Sequence, residues 1–175
     1  MRKNNSQLRI ISGELGGRLI DAPNTPATHP MGDRERQAIF NQIRAEVPGA
    51  KALDAFAGSG ALGIEALSLG AASVDFLENN PKAIRTINDN ITKLNLGTKT
   101  QVIRTPKAHY DLIFADPPYD KPQYKLVEEL VAHLSSNGIF VLSHPNLPQP
   151  PDFVGLALIS DRNYAAACIK IYRKI

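Results

Sequence analysis

The sequence predicts an α/β fold, a mostly parallel sheet with helices on both faces. Three observations carry this. From residue 50 onward, short apolar runs alternate with helix-type stretches, the pattern of strands joined by helical crossovers. A glycine-rich turn follows the first apolar run, and an acid stands 20 residues after its first glycine, Gly58. The chain is 175 residues long and 43% hydrophobic, enough to bury a core without covalent staples.

The elements follow in order. Arg9-Ile10-Ile11-Ser12 and Arg18-Leu19-Ile20 flank glycines and read as a hairpin. Residues 22–32 are a Pro/Gly/Thr-rich loop. Asp33 is placed to cap a helix running to about residue 46, with Ile39, Phe40 and Ile43 on one face. Pro48-Gly49 ends it. Residues 50–56 form a buried strand, 61–69 a helix and 73–78 a strand. Pro81 opens a helix to about residue 94. Residues 101–104 and 111–116 are strands, 122–135 a helix and 138–143 a strand. Four prolines mark residues 144–152 as a loop. Residues 156–160 and 166–172 close the chain as strands. The expected division is an N-terminal hairpin-and-loop extension over 1–32 and a main domain over 33–175.

The first chemical constellation is Asp54-Ala55-Phe56-Ala57-Gly58-Ser59-Gly60-Ala61-Leu62-Gly63, followed by Glu78 and Asn79. Glycines permit a sharp strand-to-helix turn and let a ligand lie against the backbone. The helix N-terminus adds a partial positive charge. A carboxylate at Glu78 suits both hydroxyls of a ribose. Gly58, Gly60 and Gly63 also satisfy the dinucleotide fingerprint, so a nicotinamide cofactor and S-adenosylmethionine (SAM) both fit the layout. The residue types favour SAM. Its ammonium group suits Asp54, whereas an acid beside a pyrophosphate repels it.

The second constellation is Asp116-Pro117-Pro118-Tyr119, at the end of an apolar strand and 56 residues after Gly60. An exocyclic amine on a base is a poor nucleophile, because its lone pair is delocalised into the ring. Asp116 and the Pro117 carbonyl can each accept one N–H and turn that lone pair toward a methyl donor. Proline lacks an N–H and stiffens the loop. Tyr119 offers a face for stacking an extruded base.

These motifs resemble the class I SAM-dependent methyltransferases that modify nucleobase amino groups. Within them the chain is most similar to the RsmD-type 16S rRNA guanine-N2 methyltransferases. The resemblance rests on Arg9-Ile10-Ile11-Ser12-Gly13 with Gly17-Arg18, on Asp33-Arg34, Arg36 and Phe40-Asn41, on the two constellations, and on Arg162 and Tyr164. It implies a Rossmann-like fold with a seven-stranded sheet and an N-terminal hairpin/helix extension. It implies SAM binding by Asp54, Phe56, Ala57, Gly58, Ser59, Gly60, Glu78 and Asn79. Asp116, Pro117, Pro118 and Tyr119 would place guanine N2. The implied partner is 16S rRNA or the small ribosomal subunit, contacted by the hairpin (Arg9, Arg18), by the loop around His29, and by Arg34 and Arg36. Those last two could instead pair with Asp33 and Glu35 on a solvated face. Adenine-N6 methylation of DNA or RNA, and an RNA-binding assembly factor of weak activity, are the competing readings. A hydride-transferring oxidoreductase ranks last.

The chain departs from the family pattern at His29-Pro30-Met31, Gln37, Asn79-Asn80 and Ala165. The largest departure is residues 90–110, which after Asn90 hold Lys93, Lys99, Arg104 and Lys107 and no acid. Family members carry an Asp there for the adenine amino group, followed by a helix. One wall of the adenine pocket is therefore expected to be thin, and SAM binding weak until RNA strengthens it.

Charge and cysteine use bound the rest. The net charge is +3, and residues 1–20 and 161–175 carry four cations and one acid each. If the ends meet, they form a basic surface that attracts phosphate. The single cysteine, Cys168, excludes an intrachain disulfide. Four scattered histidines give no metal-ligand spacing, so no metal is expected. No apolar run has the ~20 residues of a membrane span, and the first residues are no secretory signal. The expectation is a monomeric cytoplasmic protein.

Overall fold

The computed structural model describes residues 6–23, 31–107, 109–164 and 167–175. In chain order the elements are β1 (Gln7–Arg9), β2 (Leu19–Asp21), α1 (Asp33–Gln42), β3 (Lys51–Ala55), α2 (Ala61–Ser68), β4 (Ser73–Leu77) and α3 (Pro81–Lys93). A single 3₁₀ turn, Gly97–Lys99, precedes β5 (Thr100–Ile103). Then come β6 (Tyr110–Ala115), α4 (Tyr124–Val131), β7 (Leu134–His144), β8 (Leu156–Asn163) and β9 (Cys168–Lys174).

Seven strands form one sheet in the order β5-β4-β3-β6-β7-β9-β8, and β1 pairs with β2 separately. Strands β3 to β7 run parallel, while β9 is antiparallel to both β7 and β8. The predicted seven-stranded, mostly parallel sheet with its N-terminal hairpin is therefore present. Strand alternation divides the core in two. Ala52, Val74, Phe76, Leu112, Phe114 and Val141 face a layer containing α1, α2 and α3 together with Ile10 and Ile20 of the hairpin. Leu53, Ile113, Phe140 and Leu142 face Val127 and Leu130 of α4 and Phe153 of the following loop. Among the described residues, one helix covers this second face.

Four boundaries differ from expectation. The hairpin pairs Gln7 with Asp21 and Arg9 with Leu19, two or more residues earlier on its first strand than expected. The N–H groups of Ile11 and Ser12 go instead to the Glu65 carboxylate of α2. Helix α1 ends at Gln42, which lets Val47 enter the core and Glu46 reach Arg173 at 2.9 Å. Helix α4 is shorter at both ends, because β7 begins at Leu134, opposite Tyr110, with a register shift before Leu112. The last two strands run to Asn163 and Lys174.

The hairpin is hydrogen-bonded to α2. Ser68 Oγ accepts the Leu15 N–H at 2.9 Å, and the Ser68 carbonyl accepts that of Glu14 at 2.8 Å. The basic C-terminal segment is largely neutralised within the sheet. Arg173 pairs with Glu46, Lys170 with Asp161, and Lys174 donates to the Val131 and Leu134 carbonyls. Arg162 remains as its exposed cation. No helix among the described residues is long and apolar enough to cross a membrane.

Candidate active site

Strands β3 and β6 lie side by side, with Asp54 opposite Phe114 and Ala55 opposite Ala115. The chain leaves β3 toward β4 and β5, then returns to β6 and continues outward. That reversal opens a crevice at the carboxyl ends of the two strands. The two sequence constellations follow these strands, so both line a single cavity of about 860 Å³.

The turn after β3 is built from unusual backbone. Phe56 and Gly58 both have positive φ, 60° and 56°, and a side chain placed on Gly58 would meet only the Phe56 carbonyl at 3.9 Å. The ligand side of the turn is thus open. Gly63 is the opposite case. A Cβ there would lie 2.5 Å from Phe76 and 2.7 Å from Val74, so its absence lets α2 close onto β4. Asp54 holds this arrangement from beneath, accepting the Gly63 N–H at 2.8 Å.

Glu78 closes the other side. Its Oε2 accepts the Gly58 N–H at 3.0 Å, and its Oε1 accepts those of Asn79 and Asn80, both at 2.8 Å. The carboxylate therefore ties the end of β4 to the glycine turn. Asn80 in turn caps α3 through Lys82 and Ala83.

Three carboxylates converge here. Asp54 is 2% exposed. Burial pushes its carboxyl well above the usual range against the Gly63 hydrogen bond, and Asp116 and Glu78 add to the rise. Burial also pushes Asp116 up to about 6, opposed by a hydrogen bond with Ser143. The Ser143 hydroxyl hydrogen-bonds that of Tyr119 as well. Burial raises the Tyr119 phenol, with Asp116 adding to it, so the ring stays neutral at ordinary pH. Such a field favours a cationic ligand and disfavours a pyrophosphate.

Asp54, Phe56, Ala57, Gly58, Ser59, Glu78, Asn79 and residues 116–119 all line the cavity. Gly60 lies behind the turn as the N-cap of α2. Arg104, Thr105 and Pro106 form the wall beyond Glu78. Arg9, Arg18 and Arg34 are exposed, and His29 lies outside the described residues. Arg36 requires a correction, because it is wholly buried rather than on an exposed face. Its guanidinium donates to the Met31 and Arg9 carbonyls and to Asp33, 3.8 Å from Glu65. A cation one turn from Asp33 reads as surface until its fold neighbours are known.

Sequence reasoning missed two residues. Ser143 is 1% exposed at the end of β7, and its signal was a hydroxyl inside an otherwise apolar run. Asn90 is fully buried on α3, and nothing local distinguishes it from the other polar residues of that helix. Among the described residues no group of His, Cys, Asp and Glu is arranged to hold a metal ion.

The chain matches the family described as Conserved hypothetical protein 95 over residues 8–173. It is 34% identical over 182 residues to YlbH of Bacillus subtilis, covering 95% of this chain and 99% of that protein. It is 34% identical over 139 residues to "Ribosomal RNA small subunit methyltransferase D" of Escherichia coli K12, covering 75% of this chain and 69% of that one. Among solved structures, yhhF of Escherichia coli superposes with a TM-score of 0.84 at 26% identity, over 97% of this chain and 98% of that one. A hypothetical protein of Thermus thermophilus gives 0.78 at 29%, over 94% and 98%.

Proposed function

The chain belongs to the Conserved hypothetical protein 95 family, the RsmD-type class I methyltransferases, and from that premise we propose that it methylates the N2 amino group of a guanine in small-subunit rRNA. It is a SAM-dependent rRNA methyltransferase, like the relatives named "Ribosomal RNA small subunit methyltransferase D". The choice of guanine N2 over adenine N6 follows the family resemblance, because Asp116–Tyr119 suits either amine. The observation that carries the methyltransferase reading is the convergence of Asp54, Glu78 and Asp116 on one cavity beside an open glycine turn.

The residues fit the cofactor. The turn at Gly58 leaves room for a ligand against the backbone, Glu78 suits ribose hydroxyls, and the acidic field suits a sulfonium and an ammonium. When bound, SAM supplies an electrophilic methyl group. Asp116 and the Pro117 carbonyl accept the two N–H bonds of the target amine and orient its lone pair. Orientation of this kind accounts for much of the rate in a direct transfer. Pro118 stiffens the loop, and Tyr119, held through its hydroxyl by Ser143, presents its ring to the extruded base. Exposed Arg9, Arg18 and Arg34 engage RNA phosphates, and such contacts position without reading sequence. The substrate is recognised chiefly by shape.

Incubation with labelled SAM and small subunits, naked rRNA or DNA, followed by nucleoside identification, tests this reading. N2-methylguanosine in RNA is the expected product. Methyladenine would reassign the target, and binding without transfer would make the chain an assembly factor.

A further inference from the structure

Asn90 bonds both to the hairpin and to the glycine turn. It is fully buried on α3. Its Oδ1 accepts the Asp21 N–H at 2.9 Å, and its Nδ2 donates to the Asp21 carbonyl at 2.9 Å. The side-chain amide thus pairs with β2 as a strand residue would. The second Nδ2 hydrogen goes to the Ser59 carbonyl at 3.0 Å, inside the turn between Gly58 and Gly60. A primary amide has two N–H bonds, and both are used.

The two ends of this chain of bonds border the same cavity. Ala22 and Pro23 follow Asp21 and line it from the hairpin side; Ser59 lines it from the turn. Because Asn90 is fully buried, a shift of β2 either leaves its amide unpaired or carries Ser59 along. Unpaired groups of this kind are costly. The hairpin is also held by Glu65 and Ser68 at Ile11, Ser12 and Leu15, by Arg36 at the Arg9 carbonyl and by Lys93 at Asp21, and none of these bonds ends on residues 58–60.

We propose that Asn90 couples the RNA-engaging hairpin to the cofactor turn, so that RNA and cofactor each tighten the binding of the other. Asn90 is a positioning residue in this scheme and meets neither ligand. The coupling rests on the methyltransferase reading above. Linkage requires the two effects to be equal in size.

Equilibrium dialysis of labelled S-adenosylhomocysteine against the full chain, with and without unmethylated small subunits, tests this. Subunits should tighten binding by about fivefold or more, the low end of typical coupling. Asn90→Ala should reduce that ratio to below about twofold, while Ser68→Ala weakens subunit binding but keeps the ratio. An unchanged ratio in Asn90→Ala overturns the proposal. Should that variant not fold, the wild-type chain still decides. Hydrogen exchange at the Asp21 amide should slow when the analogue alone is added, and an unaltered rate overturns the coupling. A wild-type chain that methylates subunits yet binds the analogue equally with and without them sinks the coupling alone. One that neither binds nor methylates subunits sinks both readings.

Discussion

The hydroxyls of Ser143 and Tyr119 share a hydrogen bond at the end of β7. Asp116 hydrogen-bonds the same serine, so one buried hydroxyl organises both the acceptor and the stacking ring. Ser143 lowers the Asp116 carboxyl against the larger effect of burial. Ser143→Ala should therefore move the acid limb of kcat upward by about one pH unit, the equivalent of a charge-assisted hydrogen bond near 1.4 kcal/mol. It should lower kcat about tenfold and leave cofactor affinity unchanged. A pH–rate profile beside a binding titration reads both.

Asp116 must be ionised to accept an amine N–H. With its carboxyl at about 6, activity should rise as pH increases through 6. Asp116→Asn retains a carbonyl acceptor, so it should keep residual transfer with a flat profile, whereas Asp116→Ala should abolish transfer and spare cofactor binding. Stability carries the opposite sign. The folded value lies above the ordinary 3.8, so the proton favours the folded form. That stabilisation is full below about pH 4 and is lost as pH rises through 6. The melting temperature of Asp116→Asn should gain on wild type across that window.

Two glycines of one motif should fail differently. Gly63→Ala drives a methyl into Phe76 and Val74, an overpacking worth about 1–3 kcal/mol of stability. Gly58→Ala meets open space but at φ 56°, costing about 1–2 kcal/mol of backbone strain, and its methyl intrudes where the ligand must lie. Denaturant titration should rank Gly63→Ala as the less stable, and cofactor titration should rank Gly58→Ala as the weaker binder.

Two neighbouring arginines separate packing from recognition. Arg36→Met leaves Glu65 buried without its cation, a loss of about 3–5 kcal/mol. Arg34 is exposed, and Arg34→Ala should leave the melting point unchanged. It should weaken RNA binding and reduce its salt dependence by about one unit of slope. Thermal melts and salt-dependent RNA binding check both.

The sequence made the sheet legible because each strand and helix advertises itself locally. Apolar runs, the glycine turn and the Asp116–Tyr119 motif also pointed to the two strand ends that border one cavity. The hidden part consists of polar residues whose partners are distant. Arg36 looks like surface charge beside Asp33, yet its fate is set by Arg9, Met31 and Glu65. Asn90 is one of two asparagines on an amphipathic helix until Asp21 and Ser59 surround it. The bounds of the first hairpin strand differ for the same reason, since Glu65 claims two of the N–H groups that lie in the expected strand. Such contacts depend on which elements meet, and periodicity carries no record of that.

The hairpin's partners also fix an order of assembly. Ile11, Leu15 and Asp21 are held by Glu65, Ser68 and Asn90. During synthesis the hairpin leaves the ribosome before its anchors, and chains extend from the N-terminus at about 5–20 residues per second. Its anchors emerge in turn, Ser68 lying 53 positions beyond Leu15 and Asn90 69 positions beyond Asp21, so docking is complete only after the last of them. For several seconds Ile10 and Ile20, both fully buried in the finished domain, travel without their core. A segment made early thus waits for the middle of the chain, and nascent chains stalled at increasing lengths should show protease protection of the hairpin only once residue 90 has cleared the ribosome.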